Sequence, residues 1–113
     1  MEIELSRNAQ KDISFTLIDD TEQTLTNKDL TEIIFTCKTK PAKDSPILFE
    51  KKMYLNEIIY DSENREFVVA VKNEDIKDLE YKDYGFGIWY KQGDFFDEYI
   101  GRLKITEAYA ELD

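Results

Sequence analysis

A chain of 113 residues fits one domain and leaves no room for two; a domain of this size buries roughly two-thirds of the surface its unfolded form exposes, so a core can form without staples. Hydrophobic residues at 42% and aromatics at 13% exclude a disordered chain, even with 35% charged residues. The 15 basic against 25 acidic residues leave a net charge of −10, which repels phosphate backbones and anionic lipid and argues against ordinary nucleic-acid or membrane-surface binding.

The start, Met1-Glu2-Ile3-Glu4-Leu5, alternates charged and apolar side chains and lacks the apolar core of a signal peptide. No run approaches membrane-spanning length, so no membrane insertion is expected and synthesis in a cytoplasm is. The first clear strand is Asp12 to Ile18, where Ile13, Phe15 and Leu17 alternate with polar residues, which turns one face to a core and one to water. Asp19-Asp20-Thr21-Glu22 is a polar turn. A second strand runs from about Glu32 to Lys40, with Ile33, Phe35, Cys37 and Thr39 on one face. Pro41 to Pro46 is a loop, because proline at each end removes a ladder donor and restricts the residue before it. Ile47 to Lys52 and Glu57 to Tyr60 form two short strands or one irregular one.

Asp61 to Arg65 is a hairpin turn of polar residues that bond their own backbone. Glu66 to Lys72 returns as a strand apolar on both faces, the pattern of a central strand or of one with a face in an interface. Asn73 to Leu79 is the best helical turn, with Asn73 as its cap and acids in its first turn. Tyr84, Phe86, Ile88 and Tyr90 then alternate with Gly85, Gly87 and Trp89 in the most strongly patterned strand. Lys91 to Asp94 is the next turn, and a last strand spans about Tyr99 to Thr106. Ala108 to Asp113 is an acidic tail. Short strands joined by polar turns, with one brief helical turn, give an all-β, two-layer antiparallel sandwich in a single domain, 1–113, whose core spans about 11–107.

Little in the chain carries chemistry. There is no histidine, which removes imidazole bases, catalytic triads and His-ligated metals. Cys37, the single cysteine, sits on an apolar face and reads as a structural thiol, since a reactive thiolate needs an accessible, electropositive site. Gly85 and Gly87 match no phosphate-binding loop and are expected to allow a bulge or the close approach of an aromatic ring. Asp61, Glu63 and Asn64, or Asp94, Asp97 and Glu98, have oxygen ligands for calcium but not the EF-hand pattern. No catalytic, cofactor or metal residues are therefore assigned, and the chain is not expected to be an enzyme.

One feature stands out, the aromatic density late in the chain. Trp89 points opposite to Phe86 and Ile88, Phe95-Phe96 lie beside a turn, and Tyr99 follows. Trp89, Phe95, Phe96 and Tyr99 are the candidate interface, since exposed aromatics anchor protein partners or stack on sugars.

The order of elements resembles the immunoglobulin-like N-terminal domain of phage baseplate upper proteins and related small phage tail proteins. The residues that carry it are Ile13-Ser14-Phe15-Thr16-Leu17, Asp29-Leu30-Thr31 before Ile33 to Lys38, and Phe67 to Val71 running into Asn73-Glu74-Asp75-Ile76. Tyr84-Gly85-Phe86-Gly87-Ile88 and a closing Gly101 to Thr106 complete it. The resemblance implies an Ig-like sandwich and a structural protein of a phage or prophage tail or baseplate, located in the virion. It also implies docking to other tail or baseplate proteins and assembly with copies of itself. Two alternatives stay open: a carbohydrate-binding sandwich that uses Trp89, Phe95 and Phe96, and an acidic inhibitor that mimics DNA.

Overall fold

The computed structural model describes residues 2–6 and 10–106, so the acidic tail read at 108–113 lies outside the described residues. Alternating stretches form the strands Glu2–Ser6 (β1), Lys11–Phe15 (β2), Glu32–Lys38 (β3), Ile47–Lys52 (β4), Ile58–Asp61 (β5), Glu66–Val71 (β6), Asp83–Gln92 (β7) and Phe95–Thr106 (β8). Asn73–Ile76 is a single α-turn (α1), and Met53–Leu55 is a 3-10 turn between β4 and β5.

The strands form two sheets, one ordered β1-β8-β7-β3-β4 and the other β2-β6-β5. With β2 to β8 lettered B, C, C′, D, E, F and G, these are the B-E-D and G-F-C-C′ sheets of an immunoglobulin-type sandwich. Every pairing is antiparallel except β1 with β8, which is parallel, with Glu2 opposite Arg102 and Ser6 opposite Thr106. Because β1 leads on to β2 in the other sheet, no hairpin ties it to β8 and none dictates an antiparallel sense.

The inner faces carry the core. Ile13 and Phe15 on β2 and Phe67, Val69 and Val71 on β6 meet Ile33, Phe35, Cys37, Phe86, Ile88, Leu103 and Ile105 from the larger sheet, all buried. Phe15 stacks on Phe67 and Phe35 on Phe86, each pair with centroids 5.8 Å apart. One edge is closed by an ion pair, Lys51 of β4 to Asp75 of α1 at 2.9 Å. The cap of α1 differs from expectation. Asp75 reaches back to accept the Lys72 N–H at 2.8 Å, so Asn73 lies inside the turn and the acid three residues on closes it.

Several boundaries also depart from the sequence reading: the strand read to Ile18 stops at Phe15, and β7 runs on through Lys91 and Gln92, which were expected in the turn. β1 is a strand in its own right, its Ile3 and Leu5 buried against the core. β8 starts at Phe95, about four residues early, because the turn before it is only Gly93-Asp94. Gly93 adopts φ 59°, the left-handed conformation that a Gly-first two-residue hairpin needs at its first central position.

Candidate docking surface

The tight β7–β8 turn sets the register of everything near it. Gln92 faces Phe95, Lys91 faces Phe96, Tyr90 faces Asp97, Trp89 faces Glu98 and Ile88 faces Tyr99. Directly opposed residues share a face of the sheet, so the four aromatics expected to form one surface divide between two. Trp89 and Phe96 lie on the outer face, ring centroids 6.2 Å apart. Phe95 and Tyr99 lie on the inner face, Phe95 6.3 Å from Tyr90 and Tyr99 6.0 Å from Phe86. They come together only around the rim of β8. Phe95, Phe96 and Tyr99 are 57%, 63% and 44% exposed, and Trp89 is half-buried.

Phe95 and Tyr99 are exposed although they face inward because the smaller sheet stops short of them. β2 ends at Phe15, and beyond it the chain turns through Leu17 and Ile18, which bridges to Thr24. What remains is a groove of about 410 Å³ between the layers, with Phe15, Leu17 and Ile18 on one wall and Ile88, Tyr90 and Tyr99 on the other. It continues past Ile18 and Tyr90 into a hollow of about 390 Å³ that reaches Leu25, Phe95 and two acids, Asp19 and Asp20. The aromatic run drew attention to one wall. The other wall had a fainter signal, Leu17-Ile18, where two adjacent apolar residues break the alternation just before an acidic turn.

Backbone pairing adds to this. β1 accompanies β8 only from Arg102 to Thr106. The closing hairpin pair, Gln92 with Phe95, bonds directly, so odd-numbered residues of β8 aim their backbone groups at β7 and even-numbered ones aim away. Two bonds fix that parity: Lys91 C=O accepts from Thr31 N–H on the β3 side at 2.8 Å, and Ile105 N–H donates to Lys82 C=O at 3.1 Å. Phe96, Glu98 and Ile100 therefore present N–H and C=O groups along an edge that no described residue pairs with. At Glu98 the N–H is capped by the neighbouring Asp97 carboxylate at 2.8 Å.

The acids here have separate tasks and do not converge. Glu98 crosses β7 to Lys38 at 2.9 Å, and Lys38 also donates to the Lys43 carbonyl at 2.8 Å. The Lys38 side chain is only 3% exposed, because the Pro41–Pro46 loop folds over the outer face of the sheet above it. The two glycines make this possible. A Cβ on Gly85 would lie 2.3 Å from the Lys40 carbonyl oxygen, and one on Gly87 would lie 2.4 Å from the Glu98 carboxylate. The register runs through both without a bulge, so the expected bulge or facing ring is replaced by a loop backbone and a carboxylate. Asp61 is engaged in its own turn, accepting from Glu63 N–H, Asn64 N–H and the Asn64 amide, and these bonds hold its carboxyl below the usual range. Among the described residues, no group of three or more acids and cysteine is gathered to hold a metal.

Burial and the nearby Asp97 charge raise the Tyr90 phenol above its ordinary value. Cys37 is fully buried on the inner face of β3, and burial pushes its thiol up to about 12. A separate apolar patch, Ile59, Val68 and Ala70, lies on the outer face of the smaller sheet above a hollow of about 320 Å³. It is the second apolar side of β6 that the sequence showed, and it lies away from the aromatic rim. The sequence matches no protein-family model and no curated protein.

Proposed function

We propose that this chain is a non-enzymatic docking protein, a structural component of a phage or prophage tail or baseplate that works by protein–protein contact through the β7–β8 rim. The observation that carries the docking part is the exposure of Phe95, Phe96 and Tyr99 around a largely apolar groove and beside a strand edge that no described residue pairs with. Rings at this exposure cost solvation unless a partner covers them, and aromatic anchors beside a desolvated cleft are the usual centre of an interface. The tail assignment rests on the resemblance, read from the sequence, of the element order to that of Ig-like baseplate domains. A sugar platform is less well supported, since Trp89 and Phe96 are inclined at 34° and Phe95 and Tyr99 lie on the opposite face.

The test is binding to the proteins encoded beside this chain, which on this reading include tail or baseplate proteins, measured by calorimetry for the parent, Phe95→Ser and Phe96→Ser. The expected result is association that either substitution weakens about ten-fold or more, as loss of an interface anchor does. If none of the neighbouring proteins binds, the tail reading fails. If they bind and neither substitution matters, the surface is wrong.

A further inference from the structure

Resting on the docking reading, we infer that the partner binds by adding a strand to β8, and that the added segment alternates β-branched apolar residues with lysine or arginine. The lane is defined by β1. That strand runs beside β8 from Arg102 to Thr106, and farther along the same line no described strand pairs with the outward backbone groups of Phe96, Glu98 and Ile100. Its outward N–H and C=O groups repeat at the spacing another strand matches. A segment in this lane directs every second side chain inward, over Leu17, Ile88, Tyr90 and Tyr99, which with Phe15 and Ile18 make most of the lining; Thr16, Asp97 and Glu98 complete it. That dictates apolar residues at alternate positions.

Charge dictates the others. Neither hollow is lined by a lysine or arginine. Lys38 already neutralises Glu98, but Asp19 and Asp20 stand at the groove's far end, and among the described residues the cation paired with Asp97 is the exposed Lys43, at 3.8 Å. Asp97 also occupies the Glu98 N–H, so it guards the edge against indiscriminate pairing. A basic residue on the incoming strand takes that carboxylate and frees the N–H in one exchange. A second copy of this chain fits poorly, because it brings another net −10 and sets Asp97 and Glu98 of each copy near their counterparts.

The probe is a synthetic peptide of about eight residues, long enough to span this edge, alternating lysine with valine and isoleucine. Two controls accompany it, one with glutamate in place of lysine and one N-methylated at alternate amides so that it cannot pair. Backbone NMR of the full chain reads the site. The expected result is saturable binding with slowed amide exchange at Phe96 and Ile100, and none with either control. Ile100→Pro removes an outward N–H while leaving the ladder to β7 intact, and weakens binding about ten-fold. Should that variant unfold, the N-methylated peptide asks the same question of the parent. Equal binding of the N-methylated peptide, or shifts confined to Trp89 and Phe96 without edge protection, overturns strand addition and leaves the docking reading standing. Edge protection in concentrated protein without peptide assigns the lane to a second copy and overturns the basic segment. Failure of the docking reading itself is read separately, from the proteins encoded beside this chain.

Discussion

At the scale of single residues, burial decides what each side chain does. Phe86 is fully buried, stacks on Phe35 and touches Tyr99, so it links the core to the aromatic rim. Phe86→Ala is expected to cost about 3–5 kcal/mol in denaturant unfolding, the usual loss for a large ring deleted from a closed core; a change near zero would place the ring outside it. Cys37 is equally buried, and the consequence is chemical. With its thiol pushed up to about 12, the native protein keeps it protonated at neutral pH. A bulky thiol reagent should therefore label it only at the rate of unfolding. The folded value lies above the 9.0 of an ordinary cysteine thiol, so the unfolded chain loses its proton first as pH rises. Stability from this group is complete below 9.0 and declines as pH climbs toward about 12. In a Cys37→Ala variant that decline should be smaller by this one group's share, and an identical alkaline profile would show the thiol to be solvated.

At the scale of elements, the Pro41–Pro46 loop is tied to the sheet in part through Lys38, which donates to the Lys43 carbonyl and pairs with Glu98. Lys38 and Glu98 are joined across β7 above Gly87, and Lys38 is almost wholly out of water. Removing one partner strands a buried charge, whereas replacing both with apolar residues does not. Glu98→Ala is expected to destabilise by about 3 kcal/mol, with Lys38→Met plus Glu98→Met within about 1 kcal/mol of the parent. A double variant as damaged as the single one would mean that the pair matters for shape and not for charge. None of this could be read from the sequence, where Lys38 alternates with Phe35 and Cys37 as a solvent-facing residue would. Its burial depends on a loop folding back over Gly85. By contrast β3, β4, β6 and β7 were legible nearly to the residue, because strict alternation between polar turns leaves one arrangement with the apolar face inward. β1 was too short to stand apart from its charged neighbours. The start of β8 was hidden because Phe95-Phe96-Asp97-Glu98 does not alternate. The aromatic density of the rim was plain in the sequence, but its division between two faces is a matter of register, and the groove opens where β2 ends at Phe15 while the larger sheet runs on.

At the scale of the molecule, charge and apolar surface oppose each other, and salt separates them. The molecule is elongated, 47 × 33 × 25 Å, with the aromatic rim on part of its surface and a net charge of −10 over the whole. Between two copies the long-range force is repulsive, while any attraction comes from short-range contact between exposed rings. Raising salt from about 0.01 M to about 1 M shortens the screening length from about 30 Å to about 3 Å, which removes the repulsion and leaves the apolar contact untouched. Self-association should therefore strengthen with salt, as a rising mass in light scattering. Phe96→Ser should flatten that rise, because it removes the most exposed phenylalanine of the rim. Binding of a basic strand to the same rim should move the other way, since there salt screens an attraction. Opposite slopes from one surface would tie both behaviours to the same acids and the same rings. A mass that falls with added salt, or that rises equally in Phe96→Ser, would mean that copies meet elsewhere on the molecule, with the Ile59, Val68 and Ala70 patch as the next surface to substitute.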